Sequence, residues 1–210
     1  MLNGIDISHH NSTMVFSNRI SLNDYDFVIM KATEGHGFID TCFKQYSDKI
    51  SPNVVRGYYH FARPDLTPSP SLEAMHFMKT INTLGEDALL VLDWEAKALK
   101  YPITWALLWL KTVEQYYGKK PLIYCSESYV KNLKLIKNNN NGLWVAKYSK
   151  NNSKPNVKPY RHYALWQYTS TPFDKNVFNG NLEQLKKYCK RTKGFNDSYY
   201  NMIRKYGNNG

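Results

Sequence analysis

Short apolar runs bounded by polar turns recur along the chain. They fall at residues 2–7, 27–32, 54–61, 88–94, 121–125, 143–148, 163–168 and, less strongly, 175–178. Their length and their content of β-branched and aromatic residues predict strands. Helix-length segments separate the early ones. Ser69-Pro70 opens one, a Ser cap followed by Pro at the first helical position. Its apolar residues Ala74, Phe77, Met78, Ile81 and Leu84 keep helical spacing. Tyr101-Pro102 opens another, with Ile103, Leu107, Leu110 and Tyr117 on one face and Gly118 as its stop. Residues 40–50 and 128–136 read as two more, and 11–20 holds a short one.

After Tyr148 the alternation stops. Residues 151–159 form a Pro/Asn/Lys loop without helical period, and 169–174 a short turn. The pattern is thus eight strands, with helices after the first five only. Alternating β and α elements imply a parallel sheet covered on its faces. The fold class expected is α/β: a TIM-like barrel of eight mainly parallel strands with about five helices, (β/α)5(β)3. An open doubly wound sheet is the rival, but no glycine-rich phosphate fingerprint follows any strand. The barrel is expected over residues 1–191. Residues 192–210 read as a C-terminal tail or short helix.

Composition narrows the class. Hydrophobic residues make up 42% of the 210 and charged residues 21%, which excludes a disordered chain. The longest aliphatic run, Ala88-Leu89-Leu90-Val91-Leu92, is far too short to span a bilayer, so no transmembrane segment is expected. The first residues carry neither a basic region nor an apolar stretch, so no signal peptide is expected. Cys42, Cys125 and Cys189 have no metal-ligand spacing and read as packed thiols, with no metal site implied. Charge is asymmetric: the first 100 residues carry 9 Lys and Arg against 12 Asp and Glu, the last 110 carry 19 against 5. Such a field favours an anionic partner. Nucleic acid is set aside, because no recognition-helix, KH, RRM or zinc-finger signature is present and the basic residues are scattered.

In a parallel barrel reactive groups gather at the C-terminal strand ends. Val91-Leu92-Asp93-Trp94-Glu95 puts two carboxyls on one face of a strand exit and Trp94 on the other. Burial together would raise at least one pKa, which glycoside hydrolysis requires of its acid. Asp6 interrupts Gly4-Ile5-Asp6-Ile7-Ser8 and faces away from its two Ile neighbours, toward the barrel centre. Glu34 lies just past the second strand in Lys31-Ala32-Thr33-Glu34-Gly35. Tyr58 and His60 share a face at the end of the third. Trp144 and Tyr148, then Trp166 and Gln167, stand at two later strand ends, where aromatics can stack on sugar rings.

These segments, in this order, resemble the glycoside hydrolase family 25 muramidases, the Chalaropsis-type lysozymes. The resemblance runs from about Gly4 to about Leu185. It implies a barrel of eight strands and five helices and hydrolysis of the β-1,4 bond between N-acetylmuramic acid and N-acetylglucosamine in peptidoglycan, without cofactor. Carried over, Glu95 is the general acid, Asp93 orients and charge-stabilises the substrate's 2-acetamido group, and Asp6 hydrogen-bonds in the same cleft. Glu34, Tyr58, His60, Trp144, Tyr148, Trp166, Gln167 and Asn179 are expected to line the subsites. The family's fourth cleft Asp falls near the last strand in a Val-Asp-x-Asn context; here Val177-Phe178-Asn179-Gly180-Asn181 puts Asn179 there, with Asp174 as the substitute should the register differ. Reduced or differently pH-tuned activity is expected from that departure.

The implied partners are peptidoglycan glycan strands and, through the basic second half, anionic wall polymers; a monomer is expected. A compact muramidase without a leader is similar to bacteriophage endolysins, held in the host cytoplasm until released through a holin; a secreted enzyme is the alternative. Two other functions share these residues: a non-catalytic peptidoglycan- or chitin-binding barrel, and a chitinase-like hydrolase.

Overall fold

The computed structural model describes residues 1–82, 84, 87–149 and 153–190. The expected tail at 192–210 lies outside the described residues. Nine strands form one sheet. They are β1 (Leu2–Ile7), β2 (Phe27–Glu34), β3 (Phe38–Ile39), β4 (Val55–Phe61), β5 (Leu89–Asp93), β6 (Leu122–Ser126), β7 (Leu143–Ala146), β8 (Leu165–Thr169) and β9 (Lys175–Phe178). The order is β1-β9-β8-β7-β6-β5-β4-β2-β3, and β1 also pairs with β2, so eight strands close a barrel and the two-residue β3 hangs on β2 as a hairpin. β1, β2, β4, β5, β6, β7 and β8 run parallel to one another in that order around the barrel; β9 closes it antiparallel to both β1 and β8. The expected mixed barrel is present.

Strand alternation divides the core in two. Phe27, Ile29, Val55, Leu89, Val91, Leu122, Leu165 and Phe178 fill the interior. Ile5, Ile7, Val28, Met30, Leu90, Leu92, Ile123 and Val145 face outward beneath the helices. Two inward positions are glycine for a steric reason. A Cβ on Gly4 would stand 2.3 Å from the Phe27 ring, and one on Gly57 would stand 2.9 Å from Ile29. The large side chains of β2 fill the space these neighbours leave.

The helices are α1 (Ser12–Phe16), α2 (Phe43–Lys49), α3 (Pro70–Ile81), α4 (Ile103–Tyr117), α5 (Lys134–Asn138) and α6 (Leu182–Cys189). The Ser69 hydroxyl caps α3 by accepting from the Leu72 amide, as its sequence predicts, and Gly118 ends α4 with a left-handed φ of 63°. The face of α4 is wider than expected: Trp105, Ala106, Trp109, Val113 and Tyr116 are buried along with Leu110 and Tyr117, while Ile103 and Leu107 only flank the core. The single helix expected over 128–136 is instead a 3-10 turn, Glu127–Asn132, followed by α5. Helix α6 was not expected. It starts at a capping box in which Asn181 and Gln184 each accept the other's backbone amide, at 2.9 Å each way. Its Leu185 and Cys189 join the interior cluster and close the floor of the barrel.

Candidate active site

The opposite end of the barrel is open. A cavity of about 380 Å³ lies over the C-terminal ends of the parallel strands, and Asp6, Asp93, Glu95 and Asp174 all border it. Asp6 leaves β1 inward because Ile5 and Ile7 are committed to the outer core. Its Oδ2 accepts from Asn176 Nδ2 at 2.7 Å and Gln167 Nε2 at 2.9 Å. Asp93 ends β5, and Glu95 follows it past a fully buried Trp94 that stacks on Trp105. The two carboxyls thus reach one cleft while the indole between them anchors the strand end from behind, as alternation requires.

Burial raises all four acids, and like charge adds to it at Asp6, Asp93 and Glu95. Desolvation, then the charge of Asp174, pushes Asp6 up to about 7 even against its two amide donors. Desolvation and then Glu95 hold Asp93 well above the usual carboxylate range, while Lys31 pulls the other way. Glu95 is half-buried and is raised by desolvation and by Asp174, again opposed by Lys31. Asp174 is raised by its own burial. Such a cluster keeps protons near neutral pH and titrates as a unit. The Oδ1 of Asp93 is buried and has no hydrogen-bond partner among the described residues. It is a desolvated acceptor, a costly group to leave without a partner.

Aromatic and amide groups wall the cleft. The Gln167 Oε1 accepts from Tyr124 Oη at 2.9 Å and Tyr148 Oη at 2.6 Å, while its amide holds Asp6. The Trp144 indole donates to Asn176 Oδ1 at 2.8 Å and meets Tyr124 edge-on. Tyr148 is 55% exposed and offers a ring at the rim. Among the residues expected to line subsites, Trp144, Tyr148 and Gln167 border this cavity.

Five expected site residues stand elsewhere. Tyr58 and His60 share a face, as predicted, but it is the outer one. On β4 the inward set is Val55, Gly57, Tyr59 and Phe61, and it is Tyr59 and Phe61 that border the cleft. Tyr58 packs edge-on against Phe43, and His60 is wholly buried beneath α3 and α4. A one-residue error of phase moves a whole strand face. Trp166 also points outward, since its neighbour Gln167 points in; its indole donates to the Lys147 carbonyl at 3.0 Å. Glu34 sits beside the cleft rather than in its wall, ion-paired to Lys31 at 2.7 Å and Arg63 at 2.6 Å.

Asn179 is the fifth. It is exposed, and its amide donates to the Tyr163 carbonyl at 3.2 Å, away from the acids. The fourth acid is Asp174. Because β9 runs antiparallel to its neighbours, its first residues, not its last, reach the mouth of the barrel. Asn176, also at that end of β9, was missed for the same reason. Four carboxyls thus border the cleft.

Residues 5–177 match the sequence pattern of Glycosyl hydrolases family 25. The chain belongs to that family. It is therefore a glycoside hydrolase. It is 29% identical to the uncharacterized protein YegX of Escherichia coli K12 over 206 residues, covering 89% of this chain and 73% of the relative. It is 28% identical to an N,O-diacetylmuramidase of Arthroderma benhamiae over 210 residues, 89% of this chain and 86% of that protein. A family GH25 lysozyme from Aspergillus fumigatus superposes with a TM-score of 0.69 at 25% identity, covering 90% of this chain and 99% of the lysozyme. Among the described residues no helix is long and apolar enough to cross a membrane.

Proposed function

We propose that this family 25 hydrolase is a muramidase that cleaves the β-1,4 bond between N-acetylmuramic acid and N-acetylglucosamine in peptidoglycan, with Glu95 as general acid. The observation that carries the reading is the convergence of Asp6, Asp93, Glu95 and Asp174 on one aromatic-walled cleft at the barrel mouth. The muramidase relative from Arthroderma benhamiae supports the substrate class.

Each acid has a part that its surroundings suit. Glu95 is raised above its ordinary value yet solvent-accessible, which suits a group that delivers a proton to the leaving glycosidic oxygen. The carboxyl of Asp93, which borders the cleft, accepts the N–H of the 2-acetamido group and turns its carbonyl oxygen toward the anomeric carbon. That oxygen attacks as the glycosidic bond breaks, giving a cyclic oxazolinium and the shortened glycan. Water then opens the ring, giving its proton to the Glu95 carboxylate and restoring the acid. Asp6 and Asp174 supply negative potential to the cationic transition state. Tyr148, exposed at the rim, presents a ring face to a sugar, with Tyr124 and Trp144 behind it in the cleft wall. The basic second half of the chain would retain the enzyme on an anionic wall. The alternative of a barrel that binds without cleaving drew on a missing fourth acid, and the presence of Asp174 at the cleft favours the hydrolase.

The test is reducing-end release from purified peptidoglycan and from chitin by wild type and Glu95→Gln, with wall binding followed by co-sedimentation. Loss of about 100-fold or more in turnover on peptidoglycan with binding retained is expected of the variant. Equal release by both proteins would remove Glu95 from the mechanism. Release from chitin alone would redirect the substrate.

A further inference from the structure

Strand β2 breaks its own alternation. Phe27 and Ile29 point into the barrel and Lys31 follows them into the cleft. A regular strand would next send Thr33 inward and Glu34 outward. Instead Lys31 lies opposite Tyr59 and Thr33 opposite His60, so Ala32 is an extra residue, a β-bulge. Past the bulge Glu34 pairs with Phe61, on the cleft side. The bulge is what lets residues three apart in a strand meet: Lys31 Nζ and Glu34 Oε2 are 2.7 Å apart.

A fully buried chain of polar groups grips this bulge. Thr33 Oγ1 lies 2.7 Å from His60 Nδ1, and His60 Nε2 lies 2.7 Å from Glu73 Oε2 on α3. None of the three residues is exposed, and the imidazole stacks on Trp109. Burial keeps the imidazole neutral-leaning, so its one N–H donates to Glu73 and Nδ1 accepts from the Thr33 hydroxyl. The same Glu73 oxygen accepts the Arg63 amide at 3.1 Å, and the Arg63 guanidinium holds the second oxygen of Glu34 at 2.6 Å. Helix α3 thereby reaches the cleft through one carboxylate. We propose that Thr33, His60 and Glu73 are positioning residues of the active site: their buried chain fixes the bulge at Ala32 and so holds the Lys31 ammonium against the acids of the cleft.

Lys31 binds Glu34 on its own strand, whose other oxygen holds Arg63, and it shares the cleft with Tyr59 of β4 and with Asp93 and Glu95 at the end of β5; Asp6 of β1 borders the same cavity, and His76 of α3 adds its field at His60. Only the kinetic consequence rests on the muramidase reading, so the decisive readout is independent of substrate: ¹³C-carboxyl NMR titration of Asp93 and Glu95 in wild type, Lys31→Met, Thr33→Val and Thr33→Ser. Removing the cation in Lys31→Met should raise the carboxyl midpoints by about half a unit or more. Thr33→Val should raise them in the same direction, Thr33→Ser should restore wild-type midpoints, and the pH–rate profile on peptidoglycan should follow. Wild-type midpoints in Thr33→Val beside shifted ones in Lys31→Met would overturn the inference, leaving the chain a matter of stability alone. Should Thr33→Val fail to fold, Glu73→Gln and Glu73→Leu take its place: Gln keeps the acceptor and the midpoints, Leu shifts them, and identical midpoints in both would again overturn it. An inactive wild type with shifted variant midpoints would count against the muramidase reading and not against this one.

Discussion

The backbone amide of Asp6 donates to the carbonyl of Asp174 at 3.4 Å, joining the end of β1 to the residue just before β9. The two strands run antiparallel, so a strand exit and a strand entry meet at the barrel mouth with a carboxyl on each. Both acids are then desolvated together, and each makes ionisation of the cluster harder. The cleft holds its protons because of how β9 enters the barrel.

Asp174 therefore acts by charge on Glu95, the proposed general acid. Its charge is the second cause, after desolvation, of the raised pKa of Glu95. A general acid works only while protonated, so activity is lost as pH rises through its pKa. Asp174→Asn should move the alkaline limb of the pH–rate profile down by about half a unit. A profile with an unmoved limb would mean the two groups do not communicate.

Asn179→Asp should be silent. The residue is exposed below the last strand, and among the described residues its side chain bonds only to the Tyr163 carbonyl. A new charge there has no path to the cleft, and turnover should stay within about twofold of wild type with stability within about 0.5 kcal/mol. Improved turnover would restore the expectation that position 179 belongs to the acid cluster.

The barrel was legible because its strands are runs of apolar residues at a spacing that alternation with α2, α3 and α4 makes unambiguous. Asp6, Asp93 and Glu95 were legible for a related reason: each interrupts or ends such a run, and each is flanked by apolar residues whose burial dictates the direction of the acid. Tyr58 and His60 were misplaced because β4 reads Gly-Tyr-Tyr-His-Phe, with aromatic groups on both faces, so the pattern does not mark the inward one. Gly57 was the available clue: its missing Cβ makes room for the inward Ile29. Asp174 and Asn176 were not placed because strand direction is a tertiary property. Four residues, Lys175–Phe178, pair with β1 and β8 in a sense no local pattern states. The bulge at Ala32 was hidden likewise, since it exists only as a register between two strands.

The acid cluster costs stability, and the cost depends on pH in a direction the structure dictates. The pKa of Asp6 is 3.8 in an unstructured chain and is pushed up to about 7 in the fold, first by desolvation and then by Asp174. The native state thus binds this proton more tightly than the unfolded state. Stability contributed by the protonated form is present at low pH and is lost as pH climbs from about 4 to about 7. Asp6→Asn removes the ionisation while its side-chain oxygen can still accept from Asn176 and Gln167. The variant should be more stable than wild type at pH 8, by on the order of 2 kcal/mol, and should lose that advantage at pH 4. Urea denaturation of both proteins at the two pH values measures the difference directly. A gain of equal size at both would trace the effect to packing, and no gain at pH 8 would show that the two amide donors already compensate the buried charge. The same variant should be a poorer enzyme, since the potential that destabilises the empty cleft is the one that stabilises a cationic transition state within it.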